Sequence, residues 1–202
     1  MTTQTTTGAA RPAGRPRSEK AEKAIIEATL DLIGEGNSVS ELSIEAIAAR
    51  AGVGKTTIYR RWSNKEDLVV DALSSLKAPL PQFAGRSVRE DLITWLRVIS
   101  TESADRRGRC VMNILNSDPG RHPRVMERFY ELAIKPRREA VLAVLRRGVA
   151  NGELRPDLDV DLAMTILNGA LVWAGKWLDH PGQMEGIPDR IVNEVLRGFA
   201  PA

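Results

Sequence analysis

The stretch 43–62, SIEAIAARAGVGKTTIYRRW, limits the possible folds more than any other part of the chain. Its first half is apolar at Ile44, Ile47, Ala48 and Ala51, the i, i+3, i+4, i+7 stripe of a helix buried along one side. Ser43 suits the cap of that helix, and Leu42 stands where it can pack on Ile47 as a hydrophobic staple. Gly52 falls where the helix must stop, because a residue there takes positive φ and glycine does so without strain. Ala48 lies four residues before Gly52, and Ile58 six after it. A small residue at the helix crossing, a glycine in the turn and an aliphatic anchor on the second helix make the spacing of a helix-turn-helix.

The rest of the 202-residue chain fits an all-helical fold. Only 4 % of residues are aromatic, no clear run alternates apolar with polar, and amphipathic helical stripes recur throughout, giving about nine helices in all. The apolar content of 43 % suffices for a packed core. A single cysteine, Cys110, excludes an intrachain disulfide and a Cys-rich zinc site and agrees with a reducing cytoplasm. The N-terminus lacks the apolar core of a signal peptide. The uncharged run from Leu162 to Gly175 is too short to span a bilayer.

Residues 1–17, rich in Thr, Gly, Ala, Pro and Arg, predict a disordered arm that is basic at its inner end. Arg15 and Arg17 there are either solvated or placed to reach a minor groove or phosphates. A helix over about 18–33 supplies the third wall of a three-helix head. Ser63 with Glu66 makes a capping box for a fourth helix, which carries Leu68, Val69, Ala72, Leu73 and Leu76 inward. Pro79, Pro81 and Gly85 mark the break after Lys77. It separates a head at 18–77 from a second helical domain at 87–202.

In that domain Ser87 and Glu90 cap a helix carrying Val88, Leu92, Trp95, Leu96 and Ile99, and another helix covers roughly 107–116. A long pattern from Pro123 to Gly152 contains Pro136, which must kink it or split it in two. The helix over about 160–178 carries two apolar stripes, and that over 188–199 repeats the pattern. Two such helices meeting their symmetry mates make a four-helix dimer interface, with Met164, Leu171, Leu178, Ile191, Val195, Leu196 and Phe199 as the expected contacts. Trp95, Met112, Phe129, Trp173 and Trp177 are candidates for an apolar cavity, with Asn113, Asn116 or Asn168 to orient a ligand. Ordinary core packing is the other reading of each.

Gly54-Lys55-Thr56 imitates the end of a phosphate-binding loop, but Ala49 stands where the full motif needs glycine, and neither a preceding strand nor a long following helix is expected. Nucleic acid fits better. From Arg50 to Lys65 there are five basic residues and no acid. Lys55 and Lys65 stand at helix starts, where the dipole disfavours a cation unless an anion is bound there. Thr56 and Thr57 project from the leading turn of the second helix, where hydroxyls and methyls meet base edges. Tyr59 either offers a phenol to a phosphate or stabilises the head, and Arg60 or Arg61 can reach a guanine. Ser43, at the start of the first helix, joins this set, whereas Trp62 reads as an apolar plug. No catalytic constellation, metal-ligand grouping or cofactor motif is present, so no enzyme is expected.

Ile44 to Val53, then Thr57-Ile58-Tyr59 and Lys65-Glu66-Asp67-Leu68, resemble the N-terminal domain of the tetracycline-repressor (TetR) family of bacterial transcription regulators. The resemblance implies that Tyr59 and Lys65 contact phosphates and that the segment from Lys55 to Arg60 reads the major groove. Trp62 stands where phenylalanine is usual, and Gly54 where a serine cap is usual. The resemblance also implies a helical C-terminal domain that dimerises through its last two helices and holds an effector pocket. Pro136-Arg137-Arg138, Gly152-Glu153-Leu154-Arg155-Pro156 and the tryptophan-bearing helix resemble a C-terminal subtype common among actinobacterial members. The expectation is a cytoplasmic homodimeric repressor, released from a palindromic operator in double-stranded DNA by a small molecule. Its rivals are an architectural DNA-binding protein without effector and a nucleotide hydrolase.

Overall fold

The structure is a computed structural model that describes residues 15–105, 108, 111, 122–177 and 185–199. Among the described residues the α-helices come in the order α1 (Arg15–Gly34), α2 (Ile44–Ala51), α3 (Lys55–Tyr59), α4 (Lys65–Ser75), α5 (Val88–Ala104), α6 (Pro123–Phe129), α7 (Lys135–Ala150), α8 (Val160–Trp177) and α9 (Ile187–Phe199), and no strand is present. Helix α1 starts three residues before the expected Ser18. The fixed φ of Pro16 suits a first helical turn, so Arg15 and Arg17 belong to α1 rather than to an arm. Their side chains, and residues 1–14, lie outside the described residues.

The start of α4 also differs from expectation. Its cap is Asn64, whose side chain accepts from the Asp67 amide at 2.8 Å, and not Ser63. The Asn64 side-chain amide also donates to the Asp67 carboxylate at 3.2 Å, so the pair satisfies one orphan amide and fixes its own geometry. The cap of α5 is Ser87 as expected, accepting from the Glu90 amide. Pro136 does split its helix. A π-helical turn at Tyr130–Ile134 separates α6 from α7, which begins with Pro136 in its first turn. Proline cannot donate to the carbonyl four residues back, and the wider turn before it accommodates that loss.

Two buried clusters hold the chain together. The first joins Ile25, Ile33, Ile47, Ile58, Leu68 and Leu73 of the first four helices, and Trp62 between α3 and α4, to Val111, Val125, Phe129 and Ala133. The second unites Leu92, Trp95 and Leu96 of α5 with Leu142, Leu145, Ala163, Met164, Leu167, Leu171 and Val192. The sequence break at 77–86 therefore does not coincide with the division of the core, because α6 packs on α4. The linker itself is tied down by charge. Glu102 of α5, itself largely buried, accepts from Lys77 Nζ at 3.1 Å, the Ala78 amide at 2.8 Å and Arg137 at 3.2 Å. Arg137 also donates to the Ala78 carbonyl. Further along, the buried Asp91 accepts from the Gly85 amide and from Arg147 at 2.7 Å.

Gly148 of α7 sits where Val88 and Leu154 close over the helix, and a Cβ there would lie 2.5 Å from Val88 Cγ2 and 2.8 Å from Leu154 Cδ1. Gly148→Ala should therefore lower the thermal midpoint. An overpacking cost of about 1–3 kcal/mol outweighs the roughly 1 kcal/mol gained in helix propensity. An unchanged or raised midpoint in a thermal melt would contradict this packing.

Candidate nucleic-acid interface

The turn between α2 and α3 has the local structure that its residues require. Ser43 caps α2, its hydroxyl accepting from the Ala46 amide at 3.0 Å. Gly52 ends the helix at φ 66°, and the Val53 amide returns to the Ala48 carbonyl at 3.0 Å, a Schellman closure. Gly54 caps α3 with backbone alone. Ile58 is fully buried and anchors α3. Trp62 is the expected plug, 5 % exposed, with an unforeseen polar partner: its indole N–H donates to Asp71 of α4 at 2.7 Å. Such a short helix cannot stand on its own hydrogen bonds. Ile58 and Trp62 hold it in place.

The outer side of α3 carries Thr56, Tyr59 and Arg60 in the open, with Thr57 half-buried. Tyr59 is 56 % exposed, so it does not serve as head core. Arg60 makes no hydrogen bond or ion pair among the described residues. Arg61 instead points back to α1 and donates to Glu22 at 3.2 Å, its side chain only 13 % exposed. The two arginines are thus distinct, and Arg60 is the one available to a partner.

The remaining basic residues are engaged by groups that the local sequence does not show. Arg50 grips Glu35 through two bonds of 2.8 and 3.0 Å, and that hydrogen bond holds the Glu35 carboxyl below the usual carboxylate range. Lys55 Nζ lies 2.9 Å from Glu45 Oε1. This hydrogen bond raises the lysine and lowers the glutamate from their ordinary values. Lys65 donates to the carbonyls of Ser40 at 3.1 Å and Leu42 at 2.6 Å, pinning the loop before α2. The run from Arg50 to Lys65 holds no acid in sequence, yet three of its five cations meet carboxylates in space.

The three expected aromatic pocket residues whose side chains are described fall in different places. Phe129 belongs to the first cluster, Trp95 to the second, and Trp173 is 65 % exposed on α8. Asn168 is engaged by Trp95, whose indole donates to it at 3.0 Å. Met112, Asn113, Asn116 and the side chain of Trp177 lie outside the described residues. Two open grooves run between α5 and α9, about 700 and 620 Å³. The first is lined by Arg89, Arg190, Asn193 and Leu196, the second by Arg97, Ser100 and Asp189, and neither holds any of those aromatic residues.

The expected dimer contacts need a similar correction. Met164 and Leu171 are buried in the protomer's own second cluster, and Ile191, Val195 and Leu196 of α9 pack against it. The exposed stripe of α8 is Leu162, Ile166, Gly169, Val172 and Trp173, with the four large side chains 41–65 % exposed. Leu178 and the side chain of Phe199 lie outside the described residues. Among the described residues no helix is long and apolar enough to cross a membrane.

This is a helix-turn-helix head on an all-helical body, and Gly54-Lys55-Thr56 opens a five-residue helix that follows a helix rather than a strand. Residues 25–72 match the family described as bacterial regulatory proteins, tetR family, and residues 85–195 match the tetracyclin repressor-like C-terminal domain. The chain belongs to the TetR family of bacterial transcriptional regulators, DNA-binding proteins and not enzymes. It is similar to the HTH-type transcriptional regulator YdeS of Bacillus subtilis, 30 % identical across 79 % of this chain and 80 % of that one. Similarity extends to the DNA-binding transcriptional repressor TetR of Mycobacteroides abscessus, 30 % identical over 89 % of this chain and 94 % of the other. The solved structure of MexZ from Pseudomonas aeruginosa shares the fold, with a TM-score of 0.71 at 19 % identity over 91 % of this chain and 96 % of that one.

Trp62→Phe, which installs the residue usual in the family, should destabilise the head by about 1–3 kcal/mol, since it removes both the Asp71 hydrogen bond and ring volume. Chemical denaturation measures it, and a stability equal to the parent's would mean that the Trp62–Asp71 pair contributes nothing.

Proposed function

We propose that the protein is a cytoplasmic homodimeric repressor that binds a palindromic operator through α3 and leaves it when a small molecule binds among the C-terminal helices. The observation that carries this reading is the pairing of two exposed surfaces on one fold. One is the outward side of α3 with Thr56, Thr57, Tyr59 and Arg60, and the other is the apolar stripe of α8. Repression follows the Mycobacteroides abscessus relative, described as a repressor.

In this reading Thr56, Thr57 and Arg60 meet base edges, and Tyr59 meets a phosphate. Ser43 and Lys55, at the starts of α2 and α3, lie where backbone amides and cation can act on phosphates together. Lys65 shapes the loop at Ser40 and Leu42 and presents its remaining N–H to the backbone. Arg15 and Arg17, in the first turn of α1, reach flanking phosphates. The α8 stripe of Leu162, Ile166, Gly169, Val172 and Trp173 meets its symmetry mate, and the small residue lets the helices approach. The residues 18–77 act as the reading head and 87–202 as the sensing and pairing body. Trp95 and Asn168 between α5 and α8 are a polar pair that an effector can compete for.

Release then works through α4. Its two ends are fixed to the body, the first by the ion pair of Asp67 with Arg128 of α6 and the last by Lys77 with Glu102 of α5. A ligand that displaces α5 or α6 drags α4 and changes the separation of the two α3 helices. Half-sites about one helical turn apart, roughly 34–36 Å, tolerate little change in that separation.

Two experiments test the two surfaces. Arg60→Ala should weaken operator binding about tenfold or more and lower the salt slope by about one, whereas Arg61→Ala should change it little. Equal losses in fluorescence anisotropy titrations would contradict the assignment of Arg60. Val172→Asp, at a position 60 % exposed and outside both buried clusters, should give a folded monomer in analytical ultracentrifugation. A stable dimer would move the interface elsewhere.

A further inference from the structure

Between residues 15 and 77 ten lysines and arginines stand against ten aspartates and glutamates. A head that meets a polyanion therefore carries no formal net charge. The pairs that achieve this differ in place. Arg50 with Glu35 and Arg61 with Glu22 tie α2 and the end of α3 back to α1 and its C-terminal turn. Glu45 with Lys55 instead joins the first turn of α2 to the first turn of α3, the two helix starts assigned above to phosphates. Both side chains are open to solvent, 65 % and 54 % exposed, so a DNA phosphate can reach the lysine only in competition with the carboxylate.

We propose that Glu45 is a specificity-setting residue: its carboxylate competes with DNA phosphates for Lys55 and so lowers the affinity of the head for DNA of any sequence. This rests on the reading that α3 faces DNA. Sequence-independent affinity comes from phosphates neutralised by Lys and Arg, each adding about 0.9 to the salt slope. A lysine already neutralised by a neighbouring carboxylate contributes less of that slope. An exposed ion pair is weak enough to be exchanged, and its loss alters an equilibrium by up to about fivefold. The carboxylate left behind also sits within a Debye length of the DNA backbone and repels it. Non-operator DNA offers only phosphates to offset this cost, whereas an operator adds base contacts at Thr56, Thr57 and Arg60.

The test uses the full chain and a random-sequence duplex, titrated by fluorescence anisotropy over a range of salt concentrations. Glu45→Gln should raise affinity about threefold or more and steepen the salt slope by about one, and Glu45→Ala should do the same. Adding Lys55→Ala to Glu45→Gln should abolish the gain over the parent, while Lys55→Ala alone, which leaves the Glu45 carboxylate unpaired beside the phosphates, should weaken binding. Unchanged or weaker binding by Glu45→Gln, or a gain that survives loss of Lys55, overturns the inference. Tyr59→Phe, which removes the phosphate contact assigned to the α3 face, separates the two readings on the same duplex. If it weakens binding while Glu45→Gln has no effect, the α3 face stands and only the role of Glu45 falls. If neither variant changes binding, the α3 face and the inference fall together.

Discussion

Helix α4 is buried on both of its sides, and the rest of the molecule is arranged by that fact. Leu68, Val69, Val70, Ala72 and Leu73 are at most 1 % exposed. They pack toward α1 and Trp62 on one side and toward Val125, Phe129 and Ala133 on the other, within one continuous cluster. Each of the leucines and valines contributes about 1.5–3 kcal/mol by leaving water. The head therefore has no core of its own that excludes α6. It cannot pivot on the linker as a separate bead, because turning it would open that shared cluster.

The charged contacts complete the same constraint at the ends of the helix. Asp67 meets Arg128 at its start, and Glu102 collects Lys77, the Ala78 amide and Arg137 just beyond its end. Arg137 follows the π turn and Pro136, where the helical hydrogen-bond ladder is already interrupted. Helical segments with an interrupted ladder deform there at less cost than regular ones. A polar clamp on the linker is thus mounted next to an interrupted helical ladder.

Much of the head was legible in the sequence because its signals are local. Ser43, Gly52, Ile58 and Trp62 act on neighbours a few residues away, and each is found in its expected role. The asparagine cap at position 64 was missed by one residue because Ser63 and Asn64 both suit it. What could not be read were partners distant in sequence. Glu22, Glu35 and Glu45 turn a basic run into a set of ion pairs, and Lys65 finds two carbonyls more than twenty residues away. The two stripes of α8 are equally apolar in sequence, and only the packing of α5 and α9 decides which faces inward. It covers Met164 and Leu171 and leaves Leu162 and Trp173 outside. Of the aromatic residues grouped as a pocket, Phe129, Trp95 and Trp173 lie in the first cluster, in the second cluster and on the exposed side of α8.

The central claim is that α3, presented twice by a symmetric dimer, reads one particular DNA sequence. The most direct measurement is selection of bound fragments from genomic DNA by the full-length protein at physiological salt. The account predicts a palindromic consensus with half-sites centred about one helical turn apart. Recovery of fragments without a shared sequence, or of a single unpaired half-site, would contradict it.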